Sequence, residues 1–247
     1  MDTALWISWY DMPETGRDDY LTWAHKTYIP QMLKRPGYLW AGHYASVPKG
    51  GAVPTVPGMK ARDAVHPDSS VPKGDRYILM FGAEHAGVFG NPAPGALHAA
   101  LPGESRRLLA LRENERVNIM TVAEKVDGPE AKSYQAGMTP APCIQLGSYN
   151  CAWQDEEDAM AWYTQRRLPA MSRLTGVVRT RKLASVSGWA KHAVLYEWIS
   201  LDARNRNFPT HEDGYPPEMK AWTARVRDVM VHAPGSANLA CRIWPAL

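Results

Sequence analysis

Hydrophobic and polar residues alternate near the start of the chain, and the same alternation returns 139 positions later. A period of two residues is typical of a strand with one buried face. The apolar face carries Leu5, Ile7 and Trp9 in the first segment and Ile144 and Leu146 in the second. We expect this face to pack against helices. The opposite face, with Tyr10 and Tyr149, is then expected to line a cavity.

Each predicted strand is followed by a helical pattern, over residues 17–34 in the first segment and 155–173 in the second. Acidic residues in both first turns suit the positive end of a helix. Pro30 and Pro169 occupy the same place within the two patterns. Because proline lacks the backbone N–H that a helix uses, we expect both helices to bend or to be interrupted there.

The rest of the chain continues the parallel between the two halves. Second strands are predicted at 38–47 and 177–186, third strands at 76–82 and 192–200, second helices at 104–114 and 218–231, and last strands at 117–126 and 237–244. Each half has the βαββαβ order of a ferredoxin-like unit, which predicts an α+β fold. We assign residues 1–126 to a first repeat with a loop insertion at 48–74, residues 127–142 to a linker, and residues 143–247 to a second repeat.

Direct comparison of the two halves indicates a duplication. When residues 4–47 are shifted by 139 positions without a gap, nine of 44 positions are identical: Tyr10, Asp19, Trp23, Pro30, Met32, Gly37, Ala45, Ser46 and Val47. A repeat of fixed period describes the architecture before any single residue does. The two copies predict two half-domains that share a buried surface.

Charge and cysteine content argue against several classes of protein. The net charge of +3 comes from basic residues scattered among acidic ones, which argues against nucleic acid as a partner. No stretch approaches the roughly 20 apolar residues of a membrane span, and no secretory signal is recognised, so we expect a cytoplasmic protein without membrane contact. The three cysteines lack metal-binding spacing, which predicts reduced thiols and no metal site.

The aromatic residues are unusual in kind, with ten Trp and eleven Tyr but three Phe. Side chains with an apolar body and a polar tip suit a partly wet cavity better than a dry core. We therefore expect a pocket for a small, aromatic molecule. Dense packing of the core is the alternative explanation for the same residues.

A short motif in the first predicted helix resembles a known superfamily. Residues 23–30, Trp-Ala-His-Lys-Thr-Tyr-Ile-Pro, are followed by Pro36, Gly37 and a strand. This order resembles the dimeric α+β barrel superfamily, which includes EthD-like proteins, muconolactone isomerases, polyketide cyclases and cofactor-free monooxygenases. The resemblance implies that two ferredoxin-like repeats pair their antiparallel sheets into one barrel with the helices outside. It leaves open whether the tandem chain also forms a homodimer.

The same resemblance implies a catalytic role for His25, because some members of the superfamily place a catalytic histidine on the first helix. An ordinary histidine pKa of about 6.5 allows proton transfer at neutral pH. The second repeat has Thr164 at this position, and it has Arg167 where the first repeat has Tyr28. This break in the symmetry indicates that only the first half keeps a histidine-based site, or that neither half does. We predict one active site per chain, with Tyr28 and Arg167 as substrate contacts.

Three further residues are candidates on the predicted strands. His43 aligns with Lys182 of the second repeat, so both copies place a titratable group here, although the alternation leaves its face undecided. Tyr10 is a catalytic candidate because a phenol in the cavity can stabilise a developing oxyanion. Tyr149 is expected to contact substrate from the equivalent position. A packing or surface role is the alternative for each of them.

Arg179 and Arg181 are two residues apart on a predicted strand and therefore share a face. If that face lines the cavity, the two side chains form a cationic wall for a carboxylate or phenolate; if it is the outer face, they are solvated. Tyr196 and Glu197 point to opposite sides of the next strand, so at most one of them meets the cavity. We include Arg179, Arg181 and Tyr196 among the substrate contacts.

The sequence lacks the common nucleotide-binding, hydrolase and zinc-protease motifs, which predicts a protein without a cofactor. The leading hypothesis is a cofactor-independent lyase or isomerase that transfers protons on a small aromatic or polyketide-like molecule inside the barrel. One alternative is a cofactor-free or haem-dependent monooxygenase. The other is a non-enzymatic small-molecule binding protein.

Overall fold

The computed structural model of the chain describes residues 2–48, 68–132, 134 and 141–246. The first half contains strands β1 (Ala4–Asp11), β2 (Tyr38–Ser46), β3 (Tyr77–Ala83) and β4 (Glu113–Asp127). The second half contains β5 (Cys143–Asn150), β6 (Val177–Ser187), β7 (His192–Trp198), β8 (Val231–His232) and β9 (Asn238–Trp244).

Eight of these strands close into an antiparallel barrel. Their order is β7-β6-β4-β1-β3-β2-β9-β5, and β5 pairs with β7 to complete the ring, while the short β8 pairs with β5 alongside. Because β4 pairs with β6 and β2 with β9, the two halves meet at two seams. The prediction of an α+β fold is confirmed, with the antiparallel strands closed into one barrel.

Helices cover the outer face of the barrel. The first half contributes α1 (Arg17–Trp23), α2 (Ile29–Leu33), α3 (Pro94–Ala99) and α4 (Gly103–Leu109). The second half contributes α5 (Glu156–Trp162), α6 (Leu168–Met171), α7 (Leu201–Asn207) and α8 (Pro217–Asp228). None of the helices in the described ranges is long and apolar enough to cross a membrane.

The first helix of each half is interrupted at the same place. A π-helical turn joins α1 to α2 over Ala24–Tyr28, and another joins α5 to α6 over Tyr163–Arg167. In both halves a proline follows as the second residue of the next helix. A proline cannot donate the usual backbone hydrogen bond, and a wider turn accommodates the missing bond. The predicted interruption at Pro30 and Pro169 is confirmed.

The prediction about the two faces of the first strands is wrong. Leu5, Ile7 and Trp9 point into the barrel, where they form one buried cluster with Ile144 and Leu146. This cluster contains strand residues from both halves and no helix residue, so the lumen is packed with apolar side chains. Tyr10 and Tyr149 instead face the helices. The expected ligand cavity inside the barrel is therefore wrong as well.

The two candidate arginines of β6 form ion pairs with carboxylates. Arg181 forms ion pairs with Asp2 and Glu197, and its guanidinium lies 5.6 Å from the Trp40 ring centroid. Arg179 pairs with Asp127 at 2.7 Å, near the end of β4. Both arginines already have carboxylate partners, so they do not form the free cationic wall that their spacing suggested.

Several predicted boundaries moved because tertiary contacts decide them. The helix predicted at 104–114 ends at Leu109, since residues from Glu113 onward pair with β1 and then with β6. The segment after β7 forms α7, whose first turn is capped by the Ser200 side chain accepting from the Ala203 N–H at 3.0 Å. Much of the predicted loop insertion, residues 49–67, lies outside the described residues.

Candidate functional site

A chain of hydrogen bonds lies between the barrel and the helices of the first half. His25 comes from the π-helical turn, His43 from β2 and Tyr10 from β1. The His25 Nε2 atom is 2.8 Å from His43 Nδ1, and the His43 Nε2 atom is 2.7 Å from the Tyr10 hydroxyl. His43 and Tyr10 are fully buried, whereas His25 is half-buried. Three residues predicted as catalytic therefore form one connected unit with an outer end at His25.

The series of hydrogen bonds continues inward to a buried arginine. The Tyr20 hydroxyl donates to the Tyr10 hydroxyl at 2.9 Å, and Arg112 Nε donates to the Tyr20 hydroxyl at 2.7 Å. Arg112 also pairs with Glu115 at 2.7 Å, and its guanidinium lies 4.5 Å from the Tyr10 ring centroid. We call the hydrogen-bonded series Arg112, Tyr20, Tyr10, His43 and His25 the relay.

Burial determines the protonation of the relay. Burial lowers the pKa of His25. Burial, together with the nearby positive charge of Arg112, holds the pKa of His43 well below its ordinary value. Burial beside Tyr20 raises the pKa of Tyr10 well above the usual range of a phenol. Near pH 7 the two histidines are thus neutral and Tyr10 keeps its proton.

The donor and acceptor of each hydrogen bond in the relay can be assigned from its inner end, Arg112. A guanidinium can only donate, so Tyr20 accepts from Arg112 and uses its own proton for Tyr10. Tyr10 in turn donates to His43 Nε2, which leaves the proton of neutral His43 on Nδ1, facing His25 Nε2. Neutral His25 then carries its proton on Nδ1, the ring nitrogen outside the relay. The outer end of the relay is a hydrogen-bond donor.

Two aromatic residues and a histidine adjoin the relay. Trp244 of β9 stacks on His25 with ring centroids 6.4 Å apart, so the second half contributes to the outer end. Tyr28, predicted as a substrate contact, donates to or accepts from His98 Nε2 at 2.8 Å. Tyr28 and His98 line a cavity of about 110 Å³ between the helices.

The second half places different chemistry at the equivalent position. Lys182 replaces His43 and is buried, with its Nζ atom 5.2 Å from the Tyr149 ring centroid and 5.1 Å from that of Tyr163. Burial lowers the pKa of Lys182 to about 8. Thr164, which replaces His25, is exposed and donates to Glu124 at 2.8 Å. No hydrogen bond between Thr164 and Lys182 is found among the described residues.

The remaining predicted substrate contacts meet in the second half. Tyr149, Arg167 and Tyr196 all line a cavity of about 50 Å³ between the sheet and the helices. Arg167 Nη2 donates to Glu212 Oε1 at 2.7 Å, and Arg167 also contacts His211. The structure thus divides the predicted site residues between two clefts and leaves Arg179 and Arg181 in neither.

One set of potential metal ligands was not expected from the sequence. Cys151, Glu156 and His192 offer ligand atoms within 4.8 Å of one another. Lys191 already pairs with Glu156 at 2.6 Å, and Lys182 lies 3.3 Å from His192 Nδ1. Two lysines this close oppose the binding of a cation, so we assign no metal here.

Tyr20 and Arg112 are relay members that the sequence comparison missed. Tyr20 aligns with Ala159, so a search for residues shared by both repeats passes over it. The helical spacing of Tyr20, Ala24 and Tyr28 would have placed them on one buried face. Arg112 lies in a turn between α4 and β4 and has no local signal that predicts its burial.

The chain resembles solved structures in fold. An anthrone oxidase-like protein matches with a TM-score of 0.59 at 11% identity, over 98% of this chain and 92% of its own. A candidate monooxygenase from Fusobacterium nucleatum matches with a TM-score of 0.56 at 8% identity, over 98% and 93%. A candidate chlorite dismutase matches with a TM-score of 0.51 at 13% identity, over 98% and 95%. No family model matches the sequence, and no curated protein is significantly similar to it.

The likeness shows that this chain shares the fold of these neighbours. Their names describe oxidative enzymes rather than lyases or isomerases. The expectation of a cofactor-independent lyase or isomerase is therefore wrong, and the monooxygenase alternative agrees better with the comparison.

A haem does not fit either of the two cavities described above. His98 lines a cavity of about 110 Å³, and His232 lines one of about 50 Å³. Pockets that enclose even drug-sized ligands have volumes of about 300–1,000 Å³. His25 and His43 bind each other through ring nitrogens, and His211 is held by Arg167 and a backbone carbonyl.

Proposed function

We propose that the protein is a monooxygenase that oxidises a small, flat, phenolic or polyketide-like molecule with O2 at the outer end of the relay. The observation that carries the proposal is the unbroken series of hydrogen bonds from buried Tyr10 through His43 to half-buried His25. The anthrone oxidase-like and monooxygenase names of the structural neighbours support an oxidation. Trp244 beside His25 provides a surface on which a planar ring can stack.

His25 serves as the catalytic proton donor in this proposal. Its Nδ1–H stabilises the substrate oxygen as the substrate loses a carbon-bound proton to solvent and becomes an anion. The electron-rich anion then reduces O2, and a carbon–oxygen bond forms. His25 passes its proton to the outer oxygen of the resulting peroxide, and it regains a proton on Nε2 from His43.

The inner relay makes this donation possible. His43 Nε2 takes the Tyr10 proton, and the Tyr10 phenolate is held by the Tyr20 hydroxyl and by the Arg112 guanidinium 4.5 Å from the ring centroid. Solvent at His25 later returns the proton. For an anthrone-like substrate the second carbon-bound proton is then lost to solvent, the O–O bond breaks, and the outer oxygen leaves as hydroxide, which solvent protonates. The methylene carbon thus loses two hydrogens and gains one oxygen atom. The other oxygen atom leaves as water, so the four electrons from the carbon match the four that O2 accepts.

The proposal includes the origin of the fold. We regard the chain as a tandem duplication of an EthD-like, ferredoxin-like unit, with repeats at 1–126 and 143–247 and a linker between them. The gap-free sequence match and the equivalent π-helical turns support this view. One relay per chain means one active site per chain.

Oxygen consumption tests the function directly. The purified protein, mixed with a hydroxylated anthrone, is expected to consume one O2 for each quinone formed. His25→Ala should lower turnover roughly 10²- to 10⁴-fold, the usual contribution of a positioned acid or base. Thr164→Ala is the matched control in the second half and should keep full turnover.

Two outcomes would contradict the proposal. If turnover depends on added haem and a Soret band accompanies it, the protein is a haem enzyme. If aromatic ligands bind saturably but no product forms in air, it is a binding protein.

A further inference from the structure

The cavity of about 50 Å³ in the second half is separate from the relay. Its wall is made of residues from the second half, whereas the relay residues all come from the first half. The side chains of Tyr149, Tyr163, Arg167, Tyr196 and Arg227 contribute to the wall. We call this space the arginine cavity.

Positive charge exceeds negative charge beside the arginine cavity. Arg167 Nη2 and Arg227 Nη2 both donate to the same oxygen of Glu212, at 2.7 and 2.5 Å. His211 adds no charge, because burial lowers its pKa and its ring accepts from Arg167. Two guanidinium groups thus share one carboxylate. Lys182 lies behind the Tyr149 and Tyr163 rings and adds a further positive charge.

One donor of this group has no partner. Arg167 is 4% exposed, and its Nε atom makes no hydrogen bond among the described residues. Its guanidinium lies 4.6 Å from the Trp162 ring centroid and 5.7 Å from that of Phe208, which holds it in place. A buried donor without an acceptor is costly, and a charged one more so. An anion in the cavity would neutralise the excess positive charge beside it.

We infer that the arginine cavity binds a carboxylate group. A monoanion matches the excess of one positive charge in the Arg167, Arg227 and Glu212 group. A carboxylate also matches the planar donor set of arginine. The volume suits a small acid such as acetate, or the carboxylate end of a larger acid that enters through the opening. This inference goes beyond the proposed function and does not depend on it.

Acetate and acetamide form the matched pair of probes, because they have the same shape and differ in charge. Acetate is expected to raise the melting temperature of the full chain and to give saturable heats in calorimetric titration. Acetamide is expected to do neither. Sodium chloride at the same ionic strength controls for screening. Benzoate tests whether the carboxylate belongs to a small or a larger acid. If benzoate binds, larger acids can enter the cavity; if it does not bind, the site is restricted to small acids.

Arg167→Gln should weaken acetate binding roughly 10- to 100-fold, since it removes charged hydrogen bonds. Arg206→Gln is the control, because Arg206 is an exposed arginine of α7 that pairs with Asp202. Gly147→Ala is the second test variant, to be used if the Arg167 variant does not fold. Gly147 lines the cavity, and an added methyl group would lie 3.5–4.0 Å from its neighbours, so the fold tolerates it while the cavity shrinks.

The inference is overturned if acetamide or chloride stabilises the protein as much as acetate does. It is also overturned if acetate binds Gly147→Ala as tightly as the unchanged chain, or if acetate gives no saturable heat. If the unchanged chain binds acetate but consumes no oxygen with the anthrone, the proposed function is contradicted and the carboxylate site is not.

Discussion

The two clefts between barrel and helices occupy equivalent places but differ in their buried groups: the first holds two neutral histidines and the second a buried lysine. In the first half Tyr10 meets His43 and His25, and the only charged member of the relay, Arg112, is paired with Glu115. In the second half the equivalent tyrosine meets Lys182, a buried cation. For this lysine no ion pair is found among the described residues.

The difference depends on few substitutions. The second half has Lys182 where the first half has His43 and Thr164 where it has His25, so neither of these two imidazole rings has a counterpart in the second cleft. The same fold therefore carries a neutral relay in one half and a cation-lined cleft in the other. Four predictions test this contrast, from the largest expected effect to the smallest.

Arg112→Leu is expected to lower the free energy of unfolding by about 3–5 kcal/mol, because it leaves Glu115 and Tyr20 without their buried partner. Chemical denaturation measures the change. Arg107→Leu is the control, since the Arg107 pair with Glu104 is exposed and should contribute less than about 1 kcal/mol. Equal losses in the two variants would show that Arg112 does not anchor the relay.

Lys182→Met is expected to act in the opposite direction and to stabilise the protein by about 3 kcal/mol at pH 7. Burial lowers the pKa of Lys182 from 10.5 to about 8 in the folded chain. Below pH 8 the lysine is charged in both states, and the penalty is present in full. Between about pH 8 and 10.5 the folded lysine loses its proton first, so the penalty declines.

The stabilisation by Lys182→Met should therefore shrink as the pH rises from 7 to 10. Urea unfolding of both proteins at the two pH values measures it. A difference that stays constant with pH, or a variant less stable than the unchanged chain at pH 7, would refute an uncompensated charge at Lys182.

Tyr10→Phe is expected to lower turnover roughly 10- to 100-fold while the fold is kept, because the change removes one buried hydrogen bond that feeds His43. Tyr149→Phe, its counterpart in the second half, should leave turnover unchanged. Steady-state oxygen consumption measures both. A larger loss from Tyr149→Phe would move the active site to the second cleft.

The pH profile of turnover gives the smallest effect. Burial lowers the pKa of both His25 and His43, so the relay stays in its neutral form below the ordinary histidine value. Turnover is therefore expected to stay level through about pH 6.5 and to decline only at lower pH. A full acid limb centred near 6.5 would show that neither histidine is perturbed.

Local pattern was enough for much of the fold. Alternation located β1 and β5, the paired prolines located the interruptions before α2 and α6, and Gly37 and Gly176 take positive φ values at the helix-to-strand turns. Glycine adopts such φ values without the clash that a Cβ atom causes. Each of these features depends on neighbours in sequence, so each is readable from the chain.

The sequence by itself predicted two similar halves and singled out Tyr10, His25 and His43 as candidate site residues. Tertiary structure decided which face of β1 meets the helices, because both faces of a closed, helix-covered barrel are buried and apolar residues suit either. It also brought Arg112 to Tyr20 across 92 residues of sequence. Such a contact depends on the pairing of β4 with β1, which no local pattern encodes.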